Sequence, residues 1–420
     1  MRFDSDEPSC KNPVMLLSSA VAAGMLRVFL DCSSGFCHED FLREEVQLAE
    51  YVRDRADADV HVLITEADTG AGGEEFTLAF IGLGAFQSTT RTLTVTTDAS
   101  DSEDRERRKL ASALTLGLLS YLAPSSVPPG LDVSAEFDVE SAPTMSATDD
   151  PWRRWIFSLN GNLNIDSEQS TSERNWGLSI GADHITPDWK VTLGTDFNES
   201  HEEFEFDADD DGDEQRDLTV VRKNWSVNGL AVRSISDHWS VGVFGDLRSS
   251  TFDNIENDLR FAPAIEWNFF PYSMYTRRQL RVIYSIGGSR TSYFEHTLFD
   301  KLEETRGREE LSATYEQREP WGTLEGRFEV SHFFPGFDNH RFEVDGEVNV
   351  RVARGLSLNI EASASRIRDQ LSLPRRNASP EEVLLRLRQL QSDFETRVEF
   401  GVEYRFGSAF AAIVNPRFGQ

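Results

Sequence analysis

The sequence predicts two unlike parts: a small α+β unit, then an all-β antiparallel domain of about twelve strands closed into a barrel. Three observations predict them. Residues 26–124 read in the order βαβββα. From Trp152 to residue 407, apolar and polar residues alternate with period two. The connections between the alternating runs are short and long by turns.

The chain has 420 residues, enough for both parts. Ahead of them, Val14 to Leu26 is uncharged but too short to span a bilayer as a helix. With Ala20-Val21-Ala22 inside it as a small-residue cleavage site, residues 1–24 read as a signal peptide.

In the first part LRVFLDC (26–32) reads as a buried strand. Asp40 can cap a helix over 41–55, with Phe41, Leu42, Val46, Leu48, Ala49 and Val52 on its apolar side. DVHVLIT (59–65) is a second strand, TGAGG (69–73) a glycine-rich hairpin turn, and FTLAFIGLGAF (76–86) and RTLTVTT (91–97) two more strands. Asp101 or Ser102 can cap a last helix through Leu110, Leu114, Leu118 and Tyr121. One sheet with two helices on a face satisfies this order. The glycine cluster lacks the Lys-Ser/Thr and the following helix of a phosphate loop. Residues 125–150, rich in Ser, Pro and acid, read as a linker.

The second part, 152–407, holds strands at about 153–166, 174–185, 188–204, 217–234, 238–250, 258–270, 278–293, 308–318, 321–333, 340–353, 356–368 and 393–407. The clearest alternation is at 342–352, with Phe342, Val344, Val348 and Val350 on one face and Glu343, Asp345, Glu347 and Arg351 on the other. Alternation alone also fits a soluble sheet. The connections discriminate. TPD (186–188), ISDH (235–238), EP (319–320) and RG (354–355) are tight, and PYSMYTR (271–277) is slightly longer. The intervening connections, including the acidic run 205–217 and the stretch after residue 368, are long. Short turns at one end and long loops at the other mark an outer-membrane barrel, with the short turns periplasmic. Trp155, Trp189, Trp239 and Trp321 open strands at the short-turn rim, where an aromatic girdle suits a lipid–water interface.

Composition narrows the function classes. There are 72 acidic and 42 basic residues, a formal charge of −30, which argues against nucleic-acid binding. Asp207, Asp209, Asp211 and Gly212 copy the opening of a calcium loop. Position twelve is Leu218, and strands rather than helices flank the loop, so a solvated acidic loop is favoured over a weak calcium site. Cys32 and Cys37 could close a small disulfide in an oxidising compartment, or be free thiols.

The last strand contains Glu399, Gly401, Tyr404 and Phe406 in the order polar, Gly, aromatic, aromatic. This resembles the β-signal of bacterial outer-membrane proteins, except that residues 408–420 follow as a tail. The resemblance covers about 152–420 and implies recognition by the barrel-assembly machinery and contact with outer-membrane lipid. Residues 26–124 are nearest to periplasmic modules that bind a protein or the cell wall. If Phe342, Val344 and Val348 meet lipid, the lumen holds Glu325, Arg327, Glu329, Glu343, Asp345, Glu347, Arg351, Glu361, Glu395, Arg397, Glu399, Glu403 and Arg405. That is nine acids against four arginines, and it predicts a narrow or plugged, cation-preferring barrel of structural, anchoring or channel type. The alternative is a barrel enzyme, a lipid hydrolase or protease using Ser331, His332, His296 or His340 with Asp338. Ser331 and His332 are adjacent on a strand and point to opposite faces, so no catalytic residue and no cofactor is expected.

Overall fold

A computed structural model describes residues 25–32, 37–70, 72–122, 150–206, 216–375 and 392–406. The signal-peptide stretch 1–24, nearly all of the linker, Asp207, Asp209 and Asp211, and the tail 408–420 lie outside the described residues.

The N-terminal unit is a five-stranded sheet in the order β2-β1-β3-β4-β5. Its strands are β1 (Leu26–Cys32), β2 (Ala49–Tyr51), β3 (Val60–Asp68), β4 (Glu74–Gly82) and β5 (Thr90–Thr96). β1 runs parallel to β2 and β3, and β3, β4 and β5 are antiparallel. Helices α1 (Glu39–Glu45) and α2 (Glu103–Leu122) lie in the same unit, with short 3-10 turns at Arg55–Asp57 and Gly84–Phe86. The core lies on one sheet face: Val28, Leu30, Val60, Val62, Ile64, Phe76, Leu78 and Phe80 pack with Leu42, Leu110, Leu114 and Leu118. The spacing 110, 114, 118, 121 gives α2 one buried stripe.

The helix predicted over 41–55 is shorter. It ends at Glu45, and Ala49–Tyr51 pairs with the edge of β1 instead. Ala49 and Tyr51 are buried around a half-buried Glu50, a period of two inside a segment that also satisfies a helical pattern. The Tyr51 hydroxyl donates to the Val46 carbonyl at 3.0 Å and ties the strand to the end of the helix. Cys32 and Cys37 are joined by a disulfide, with Cα atoms 5.9 Å apart.

The second part is one antiparallel meander of twelve strands in sequence order. They are β6 (Trp155–Ser167), β7 (Thr171–Ile185), β8 (Trp189–Phe206), β9 (Arg216–Ser234), β10 (Trp239–Ser250), β11 (Ile255–Asn268), β12 (Arg278–Tyr293), β13 (Glu303–Glu319), β14 (Gly322–Phe333), β15 (His340–Ala353), β16 (Leu356–Ile367) and β17 (Phe394–Tyr404). β6 and β17 are its edges, and among the described residues no pairing joins them. The sheet curls strongly: Phe244 of β10 and Arg327 of β14 wall the same space of about 450 Å³.

The short turns stand as predicted at 186–188, 235–238 and 354–355, and one residue later than predicted at 320–321. At the other end several expected loops are strand. Only 168–170 separates β6 from β7, and only 251–254 separates β10 from β11. Hairpins whose residues still alternate keep pairing beyond the apolar band, because each added pair satisfies backbone groups.

Candidate functional site

The pairing register sorts the sheet into two faces. One is apolar and exposed: Phe157, Leu159, Ile180, Leu193, Phe261, Phe328, Val344, Val398 and Phe400 all stand in the open. Its short-turn rim carries Trp155, Trp189, Trp239, Trp267 and Phe269, with Trp239 and Trp267 paired across strands at 6.3 Å between ring centroids. Tyr404 and Phe406 stack at 5.3 Å on the same rim, while Gly401 of the same motif pairs with Asn359 on the opposite face. Trp321 departs from the predicted girdle. The turn that carries it faces the N-terminal unit, and Trp321 lines the space beneath that unit.

The other face holds the predicted charge ladder. Strand register stacks its residues into rows that alternation alone does not reveal. One row is Glu316, Glu325, Glu347, Glu361 and Glu399, direct neighbours across β13 to β17. Like charges directly opposite one another destabilise a sheet. Neighbouring donors offset this in part. Arg318 donates to Glu316 at 3.2 Å and to Glu325 at 3.1 Å. Asn359 donates to Glu347 at 3.4 Å and Arg397 to Glu399 at 3.1 Å. One row outward, Arg327 pairs with Asp345 and Ser363 with Arg397. Beyond that lie Glu329, Glu343 and Glu395, with Arg327 donating to Glu329 at 2.6 Å.

Nearer the long-loop end the same face becomes richer in arginine. Arg308 donates to Glu310 at 2.8 Å and to Ser331 at 3.1 Å, and Arg260 donates to Glu310 at 3.2 Å. Residues 369–375 fold over this end. Leu371 and Leu373 are buried, Asn254 donates to the Ser372 carbonyl at 2.9 Å, and Arg341 donates to Asp369 at 3.0 Å.

The enzyme candidates are dispersed. Ser331 and Arg308 share the charged face, whereas His332 stands on the other, stacked on Phe337 and 3.3 Å from Glu309. His296 pairs with exposed Asp300 at 3.4 Å, and His340 bonds the Phe337 carbonyl. Among the described residues no group of three His, Cys, Asp or Glu is disposed to hold a metal ion.

At the short-turn end the N-terminal unit meets the sheet. Asp31 of β1 accepts from both terminal nitrogens of Arg351, at 2.6 and 2.8 Å, and from His61 Nε2 at 2.8 Å. Arg55 donates to His61 Nδ1 at 3.2 Å, so His61 is the neutral ring that gives its Nε2 proton to Asp31. Burial pushes His61 below its ordinary value, and the Asp31 carboxylate opposes this. Burial alone would raise Asp31, but the hydrogen bonds from His61 and Arg351 hold it below the usual carboxylate range. Alongside, the Asp54 carboxylate accepts from the Gly355 amide at 2.6 Å, and Arg354 pairs with Asp57. The ladder predicted Arg351 on the charged face, and there it stands. Sequence reasoning missed its partner, because nothing in the local pattern links β15 to β1.

The architecture is a twelve-strand all-antiparallel β domain preceded by an N-terminal α/β unit. It rests on the twelve-strand meander and its two unlike faces. No family model matches the chain, and no curated protein matches it. Among solved structures the chain is similar to the NanC porin, at 10% identity and a TM-score of 0.27, over 60% of this chain and 99% of that one. It is similar also to the β domain of the Bordetella autotransporter BrkA, at 13% identity and a TM-score of 0.25, over 60% and 98%. Likenesses this low add nothing to the fold, which the strand pairing itself defines.

Proposed function

We propose that this chain is an outer-membrane barrel whose lumen is a narrow, cation-preferring path, with the N-terminal unit on the periplasmic side. One observation carries the reading: a charged face and an exposed apolar face on the same twelve strands. Large contiguous apolar surface is not tolerated in water, and a strand barrel closed on itself is one of two structures that can cross a bilayer, so the reading includes closure of β6 against β17. The rim aromatics favour the same placement. The glutamate row favours cations, because aligned carboxylates raise the local concentration of positive ions. Residues 369–375 at one end and the N-terminal unit at the other favour small conductance.

On this reading the β-signal-like Gly401, Tyr404 and Phe406 serve the barrel-assembly machinery, and the N-terminal unit meets a periplasmic protein or the cell wall. We assign no catalysis to it. The test is fractionation followed by planar-bilayer recording. Outer-membrane location, heat-modifiable migration and small cation-selective steps are expected. A soluble protein without a heat shift would end the membrane reading, and large anion-selective steps would end the lumen reading.

A further inference from the structure

We propose that the N-terminal unit is a gate: it sits across the short-turn mouth of the barrel and is latched shut by Asp31 and Arg351. The inference rests on the channel reading above and adds a closing element to it.

The seat spans the mouth instead of hanging from one edge. The meander has five short turns, at 186–188, 235–238, 269–277, 320–321 and 354–355. In a closed twelve-strand barrel the first and the fourth, six strands apart, would lie on opposite sides. Gly70, in the β3–β4 hairpin turn, lies against Ile185 at the first turn, so close that a Cβ on Gly70 would stand 2.5 Å from that of Ile185. Arg351, which also donates to the Pro320 carbonyl at 3.3 Å, binds Asp31 at the fourth. The Gly355 amide donates to Asp54 at the fifth.

The covered face confirms the seat. In β1 and β3, Val28, Leu30, Val60 and Val62 face the helices, so Phe29, Asp31, His61 and Leu63 face away from them. In a freely solvated unit that second face would be wet. Here Asp31, His61 and Leu63 are 4%, 0% and 2% exposed. Leu63 and Asp31 share a small space with Arg318, Thr323 and Arg351 of the barrel. The outer residues of the edge strand β5, Thr92, Thr94 and Thr96, stay exposed, so the burial is local to the strands over the mouth.

The latch also stands on the ion path. On β15 the charged face runs Arg351, Asn349, Glu347, the last in the glutamate row. Asp31 therefore closes the top of the same ladder. The contact is polar rather than greasy, and a space of about 560 Å³ remains between unit and rim, lined in part by Phe29, Arg55, Trp321, Arg354 and Arg405. Polar inter-domain contacts of this kind permit relative motion, whereas extensive apolar ones lock it.

The test uses the full chain. Gly70→Cys with Ile185→Cys, whose Cβ atoms need to part by only about 1 Å to reach disulfide spacing, should cross-link under oxidation and hold the channel closed, with conductance returning on reduction. The parent chain, treated with the same reductant, controls for Cys32–Cys37. Arg351→Asp should raise open probability about tenfold by leaving two carboxylates face to face. Arg354→Asp should raise it about two- to fivefold, and Asp57→Arg in that background should reverse the rise. Heat-modifiable migration verifies folding of each variant. Absence of the cross-link in folded protein, or unchanged open probability in Arg351→Asp, would overturn the gate. A cross-link that forms in a protein silent in every variant would instead remove the channel reading, and the gate with it.

Discussion

Replacing Asp31 by Asn should loosen the N-terminal unit from the barrel while leaving its own core intact. The carboxylate now accepts three short hydrogen bonds, one from His61 and two from Arg351. An amide of the same shape presents an NH₂ where one guanidinium N–H donates, so at least one contact becomes donor against donor. Breaking one partner of a buried pair costs about 3–5 kcal/mol. Arg351 is 36% exposed and can regain water, which reduces that cost. Relief of the buried carboxylate's own desolvation offsets a further part. About 2 kcal/mol remains, or roughly a thirtyfold shift in the docking equilibrium. The assay is native-state hydrogen exchange at the Gly355 amide, which donates to Asp54 across the seat. Protection there should fall by about that factor, and far less in the unit's own sheet and α2. Unchanged protection at Gly355, or an equal loss in α2, would refute the reasoning.

Gly117→Ala should destabilise the N-terminal unit although alanine is the better helix former. The propensity gain is at most about 1 kcal/mol, but the new Cβ would stand 1.9 Å from Cζ of buried Phe80. Overpacking of this kind costs about 1–3 kcal/mol, so thermal unfolding should move down. Lowering the pH should weaken the seat in two stages. His61 is depressed below its ordinary value, so the folded state binds fewer protons than the unfolded one, and stability falls as pH drops below about 6.5. Protonation also removes the acceptor that Arg55 now uses, with Asp31 and Arg351 the other charges facing the ring. Asp31 is depressed too, so its share is present above about pH 3.9 and is lost below it. Exchange or Gly70–Ile185 cross-linking followed against pH reads both stages, and a flat profile from pH 7 to 5 would contradict the first. Glu325→Gln with Glu361→Gln should lower the cation preference in bilayer recordings without changing heat-modifiable migration. Unaltered reversal potential would detach the glutamate row from selectivity.

The barrel half was legible because a sheet with lipid on one face and water on the other must alternate along every strand, and Phe342 to Val352 does so without interruption. The faces of the ladder residues followed from that parity. Their rows did not. That Glu325, Glu347, Glu361 and Glu399 are direct neighbours depends on register, which shifts the partners of each residue without disturbing alternation. The segment 46–52 reads as helix from sequence because its apolar residues fit helical and strand periods alike, and the open edge of β1 decides between them. Trp321 was placed by its position after a turn, whereas its environment depends on the neighbouring unit. The Asp31–Arg351 contact joins residues 320 apart, beyond anything a local pattern encodes.

The order of synthesis gives that separation a further meaning. The N-terminal unit emerges first, yet every rim group that holds it arrives later, from Ile185 to Arg351 and Gly355 near the end. A chain with only its first strands paired offers the Ile185 end of the seat and not the Arg351 end. Closure of the mouth therefore reports that the meander has been completed at least through β15. On the gate reading, a barrel lacking β15 would stay uncapped, with its Asp31–His61 face exposed.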